Sequence, residues 1–247
     1  LILIFKASVY ISPFLELQAL PTNIYIYFYA GKKHMTSYQP ERDCPLCPRL
    51  CAFRATNRQT FPDKHNAPVP SFGPLSAELL VVGLAPGLKG ANFSGRPFTG
   101  DYAGVLLYQT LLKFGFASGV YEARADDSLT LLNARITNAV RCVPPENKPT
   151  PEEMRQCLPF LSAEIAQMKN LKILVTLGLV SHQSTLRALG EKPSSAKFAH
   201  GAQHKLPSGH LVINSYHCSR YNTQTNRLTE TMFHDVFAAV KDRLKSH

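Results

Sequence analysis

Four short apolar runs set the rhythm of this chain. They are Leu79-Leu80-Val81-Val82, Ile136-Thr137-Asn138-Ala139-Val140, Leu171 to Leu177 and Leu211 to Ser215. Short, apolar-rich runs closed by turn residues, as Gly83 closes the first, are the pattern of strands buried on both faces. Helical spacing fills the intervals, over Val105 to Phe114, Pro149 to Met168 and Thr229 to Leu244. The second of these opens on Thr150-Pro151-Glu152-Glu153, an N-cap residue, a proline in the first turn and acids at the positive helix end. Asp101 stands where a cap for a Tyr102–Phe114 helix would stand. Strands alternating with helices predict an α/β domain: a three-layer α-β-α sandwich around a central, mostly parallel four-stranded sheet. No internal repeat or low-complexity run interrupts the pattern.

Residues 1–34 do not share it. They crowd apolar and aromatic residues together (Ile24 to Tyr29) and end in Gly31-Lys32-Lys33, with Lys6, Pro13, Glu16 and Pro21 breaking every run. No stretch approaches the roughly 20 apolar residues of a membrane helix, and the lysine pair follows the apolar run where an export signal would carry its charge first. We read 1–34 as an upstream extension or disordered leader, with Met35 as the start of a domain spanning 35–247.

Composition narrows the class. An apolar share of 45% with 18% charged residues suits a packed domain and argues against wholesale disorder. The 27 Lys and Arg against 17 Asp and Glu leave a net charge of +10, which points to a polyanionic partner: nucleic acid first, an acidic membrane surface as the rival. Six cysteines are too few for a disulfide scaffold at this length, so a reducing compartment and metal or redox work are expected of them.

Four of the cysteines carry ligand spacing. Cys44 and Cys47 are separated by two residues, and Cys142 and Cys157 form a wider second pair. Two thiolates on one tight turn grip a metal, and a second pair brought near by the fold completes the set. A structural zinc usually has two close pairs, so the wide pair fits a [4Fe–4S] cluster better. Spacing alone leaves zinc, cluster and plainly buried thiols open. Cys51 is an extra that could replace one ligand.

The loop after the first strand reads Gly83-Leu84-Ala85-Pro86-Gly87-Leu88-Lys89-Gly90-Ala91-Asn92-Phe93-Ser94-Gly95-Arg96-Pro97-Phe98-Thr99-Gly100-Asp101. Its glycines let backbone approach a phosphate or a base edge. It is neither a P-loop nor a dinucleotide fingerprint. It resembles the first motif of uracil-DNA glycosylases, in particular the family 5 (type b) enzymes of bacteria and archaea. Thr137 to Pro145 resembles their middle strand with its base-reading asparagine, and His217-Cys218-Ser219-Arg220-Tyr221-Asn222-Thr223-Gln224-Thr225 their second active-site motif. Other branches place an acidic or amide side chain just after the first glycine. Leu84 and Ala85 stand there instead, as in family 5, whereas family 4 would show Glu at the Leu84 position.

The resemblance implies a monofunctional glycosylase of base-excision repair that removes uracil, and other deaminated bases such as hypoxanthine, from double-stranded and single-stranded DNA. It implies a [4Fe–4S] cluster on Cys44, Cys47, Cys142 and Cys157. His217 would donate to the pyrimidine O2, Asn138 would read the uracil edge, Phe98 would stack on the base, and the backbone from Gly83 through Ala85 and Pro86 to Gly87 would close the pocket. Asp101 would position water or steady the cationic sugar. Ser219, Arg220 and Asn222 would meet the DNA backbone, with Tyr221 or a neighbour filling the vacated stack, and Lys89 would contact the strand without forming a Schiff base. The expected setting is a monomer in a prokaryotic cytoplasm, at the nucleoid and away from membranes. Two rival classes stand beside this: a cluster-bearing nucleic-acid-binding module without catalysis, and a Cys/His hydrolase built on Cys218.

Overall fold

The computed structural model describes residues 38–246 and one short antiparallel pair, Phe28–Tyr29 with Lys32–Lys33. The chain divides into two units, Leu1–Thr36 and Ser37–His247. Apart from that pair, the extension expected over 1–34 lies outside the described residues. The main sheet and the helices that cover it belong to the second unit.

Four parallel strands form the sheet: β1 (Leu79–Gly83), β2 (Ala134–Asn138), β3 (Ile173–Leu177) and β5 (Leu211–Ser215). A fifth, β4 (Gln203–Lys205), runs antiparallel along the outer edge of β5, giving the order β2-β1-β3-β5-β4. The expected sheet therefore gains one strand. Gln203, His204 and Lys205 carry no apolar signal, because an edge strand needs little burial and charge there discourages pairing with other chains. The second strand also starts two residues earlier than its apolar run, at Ala134. Arg135 disguised that start; it is buried because Glu164 accepts from its Nε at 2.7 Å.

Side chains alternate between the faces of the sheet, as strand geometry demands. Leu79, Val81, Ile173, Val175 and Ile213 pack with α3 (Tyr102–Phe114) and α7 (Glu230–Lys245). Leu80, Val82, Leu174 and Val212 pack on the other face with α4 (Pro151–Gln167) and α5 (Leu179–Ala188). The three layers are thus as expected. Two helices were not. Buried positions of α1 (Pro48–Thr60) are Leu50, Arg54 and Asn57, and those of α5 are mostly Ser, Thr and His, so their inner faces read as polar.

The topology decides where a ligand can sit. From β1 the chain crosses through α3 to β2 on one side, then returns through α4 over β1 to β3 on the other. Right-handed crossovers in opposite directions put α3 and α4 on opposite faces. The loops leaving β1 and β3 part there, opening a crevice at the carboxyl ends of the strands.

Candidate active site

A cleft of about 640 Å³ occupies that crevice. Its wall is the loop leaving β1, from Leu84 through Ala85, Pro86, Gly87 and Lys89 to Ala91 at the start of the short helix α2 (Ala91–Ser94), together with Phe98 and Asp101, and its floor holds Asn138 and His217. Ser219 and Arg220 stand at the same cleft. The structure thus gathers three stretches far apart in sequence into one site. Gly83 and Asn222 are not among its lining residues, and both act from behind it.

Gly83 pairs with Asn138 across parallel strands, and a Cβ on it would lie 2.4 Å from Asn138 Oδ1 and 2.6 Å from the Phe98 ring. Only glycine lets both side chains approach. Asn138 is buried, and its Oδ1 has no hydrogen-bond partner in the protein among the described residues. The Phe98 ring lies beside the His217 ring, centroids 6.0 Å apart and planes 29° from parallel. Asn222 Nδ2 donates to the His217 carbonyl at 2.8 Å, which fixes the loop carrying the imidazole. Burial draws the His217 pKa below the ordinary histidine value, against a smaller opposing pull from Asp101, so the ring is neutral at pH 7.

Asp101 does two things. Its Oδ1 accepts from the Gly104 amide at 3.0 Å and caps α3. Its Oδ2 faces the loop, where Cβ atoms placed on Gly90 and Gly87 would lie 2.6 and 3.4 Å away. Capping therefore leaves one oxygen at the cleft. Ser219 caps the short helix α6 (Arg220–Gln224), accepting from the Asn222 amide at 3.4 Å. Arg220 lies over the Tyr102 ring at 5.3 Å, and Tyr221 is 70% exposed, free to meet a partner.

Cys218 is fully buried, its Sγ donating to the Ala103 carbonyl at 3.5 Å, and burial raises its pKa. A protonated thiol turned into the core is no nucleophile, which removes the hydrolase reading. The sequence also hid Asn147, which lines the cleft. It follows Glu146 in a turn where both have positive φ, +57° and +55°. The neighbouring prolines signal a turn there but not its direction.

A second, smaller cavity of about 20 Å³ is lined by Cys44, Cys47, Cys51, Cys142 and Cys157. Cys44 and Cys47 precede α1, Cys142 follows β2, and Cys157 lies on α4. Arg54 Nη1 donates to Cys142 Sγ at 3.7 Å, and the Arg141 amide to Cys157 Sγ at 3.3 Å. Burial, then the neighbouring Cys157, pushes the Cys47 and Cys142 thiols up to about 12. Behind this cage Glu164 accepts from Thr137 at 2.8 Å, from Arg135 at 2.7 Å and from Arg141 at 2.5 Å.

Residues 70–241 match the family model described as the uracil DNA glycosylase superfamily. The chain belongs to that superfamily. Within it the chain is similar to type-5 members over about four fifths of its length, and to type-4 members over a smaller share. The chain is 42% identical over 203 residues to the type-5 uracil-DNA glycosylase of Thermus thermophilus, covering 80% of this chain and 92% of that one. The type-5 uracil-DNA glycosylase of Mycobacterium bovis is 38% identical over 80% of this chain and 77% of its own. That of Pyrobaculum aerophilum is 36% identical over 81% and 89%. Leu84 and Ala85, the first residues beyond β1, give the cleft wall two apolar side chains, and the carboxylate oxygen that faces this loop is Oδ2 of Asp101. No helix of the described residues is long and apolar enough to cross a membrane.

Proposed function

We propose that this protein excises uracil from DNA by hydrolysing the N-glycosidic bond of a nucleotide flipped into the cleft, as the first step of base-excision repair. The observation that carries this reading is Asn138. Its buried side-chain oxygen lacks a donor, a costly state that a ligand N–H relieves, and it lies beside an aromatic face and a neutral imidazole. Uracil supplies N3–H to that oxygen and O4 to the amide nitrogen.

Bond breaking puts positive charge on the sugar and negative charge on the departing base, and groups fixed in advance stabilise both. Neutral His217 donates one N–H to O2 as the base leaves as an anion, without passing its proton. Asp101 Oδ2 faces the sugar side, holding water or the developing cation. Phe98 stacks on the base. Ser219, Arg220 and Lys89 meet the phosphates, and +10 of net charge draws the duplex in. Lys89 takes no covalent part, so no strand scission follows. With only backbone and apolar groups from Leu84 to Gly87 reading one side of the base, deaminated purines such as hypoxanthine are also accommodated.

Cys44, Cys47, Cys142 and Cys157 supply the four thiolate ligands that a [4Fe–4S] cluster takes. All four line one cavity, and N–H groups donate to Cys142 and Cys157, a pattern suited to thiolate ligands, whereas the Cys51 thiol is engaged with the Cys44 carbonyl. With all four positions filled by cysteine, the cluster would be structural, and its ligands would join the start of α1, the end of β2 and α4.

The test is a duplex bearing one G·U or G·hypoxanthine pair, end-labelled and incubated with the protein, with half of each sample then heated in alkali. Cleavage only after alkali is expected. Cleavage without alkali would mean a lyase. No product from protein that carries its chromophore and binds DNA would leave a binding module.

A further inference from the structure

Phe98 holds a backbone conformation that L residues avoid, with φ at +53°. Such a residue persists only where its surroundings over-determine it, and here the whole segment is tied. Tyr108 Oη donates to the Pro97 carbonyl at 2.6 Å, Tyr121 Oη to the Phe98 carbonyl at 3.2 Å, and Arg96 Nε to Thr99 Oγ1 at 2.8 Å.

These ties meet in one assembly. The Arg96 guanidinium sits 5.1, 5.3 and 5.7 Å from the rings of Phe72, Tyr108 and Tyr121. Its two terminal nitrogens donate to both Asp127 oxygens at 2.7 and 2.8 Å. Asp127 also accepts from the amides of Glu122 and Leu129, which fixes the loop that carries Tyr121. Both side chains are almost wholly buried, at 5% and 0% exposure. A buried ion pair adds little net stability, because desolvation offsets the attraction; what it provides is geometry.

We propose that the Arg96–Asp127 pair is a positioning device for base recognition, which acts through Thr99 and Tyr121 to hold Phe98 in its left-handed conformation with its ring turned to the base. Neither residue lines the cleft. The proposal rests on the reading of that cleft as a base pocket.

Tyr121→Phe removes only the hydroxyl on the Phe98 carbonyl, and Asp127→Asn removes the charge while keeping the shape. Each is compared with the parent in single-turnover uracil excision, with Phe98 present and in a Phe98→Ala background. Both variants are expected to slow excision about tenfold when Phe98 is present, well within what small misplacement costs, and less than about twofold when it is absent, the signature of coupled sites. Equal losses in both backgrounds would reduce the pair to a fold support and overturn the proposal, as would parental rates throughout. If Asp127→Asn does not fold, Tyr121→Phe decides, since it leaves the ion pair intact. Hydrogen exchange of the 96–101 backbone gives a reading independent of activity. Faster exchange there in Tyr121→Phe, at an unchanged unfolding midpoint, is expected, and unchanged exchange would overturn the clasp. Parental protein inert on uracil would refute the base pocket itself, while exchange still rules on the clasp.

Discussion

Gly83 and Asn138 face each other on adjacent parallel strands, and the glycine's missing side chain is the space that the Asn138 oxygen and the edge of Phe98 fill. Adding one methyl should displace both groups from the base. Gly83→Ala is expected to lower single-turnover uracil excision roughly 10- to 100-fold, the loss of one well-placed hydrogen bond and a stacking face. The fold should stand, because the strand keeps its ladder. Single-turnover rates beside an unfolding curve check this.

His217 gives a signed pH prediction. Its folded-state pKa is lowered, so as pH falls below about 6.5 the unfolded chain takes the proton first. Stability contributed by the neutral ring is complete above that pH and is lost as pH falls toward the folded value. His217→Gln should therefore show a smaller drop in unfolding midpoint between pH 7 and pH 5 than the parent. It should also lose roughly 100- to 1000-fold in bond breaking, as loss of a preorganised donor does.

The two oxygens of Asp101 can be separated by substitution. Asp101→Ser keeps a capping acceptor for Gly104 but removes the oxygen that faces the loop, whereas Asp101→Ala loses both. Stability should fall by about 1 kcal/mol only in the alanine variant, and excision should fall alike in both. Activity retained in Asp101→Ser would assign the residue to the helix alone.

Removing a cage sulfur should uncouple three elements at once. Cys157→Ser is expected to abolish the visible absorption of the proposed cluster and to lower the unfolding midpoint by roughly 5 °C or more, on the order of 2 kcal/mol in a domain of this size. Metal and sulfide analysis of the purified variant checks the first, and a thermal melt the second. Full colour in Cys157→Ser with loss in Cys51→Ser would transfer the ligand.

The legible and illegible parts of this molecule differ in how they are held. Leu79–Val82 announced β1 because every side chain there meets apolar matter on one face or the other. β4 and α5 announced nothing, since an edge strand and a helix packed through Ser, Thr and His owe their places to backbone pairing and small-residue fit. Arg135 and Arg141 are both buried on Glu164, a contact between α4 and the strand that no local pattern encodes. In the site, the glycine loop and the histidine motif located Phe98, Asp101 and His217, because their chemistry is carried in short contiguous stretches. Asn147 and the Arg96–Asp127 pair depend on where separate loops land in space, as does the placement of Asn222 behind His217.

Helix α4 carries Cys157 toward the cage and Glu164 toward the strand that ends in Asn138, seven residues and nearly two full turns apart. One residue inserted between them would rotate one group about 100° away from its target. The length of that stretch is therefore fixed by two targets at once, so the sulfur cage and the strand under the cleft share one ruler.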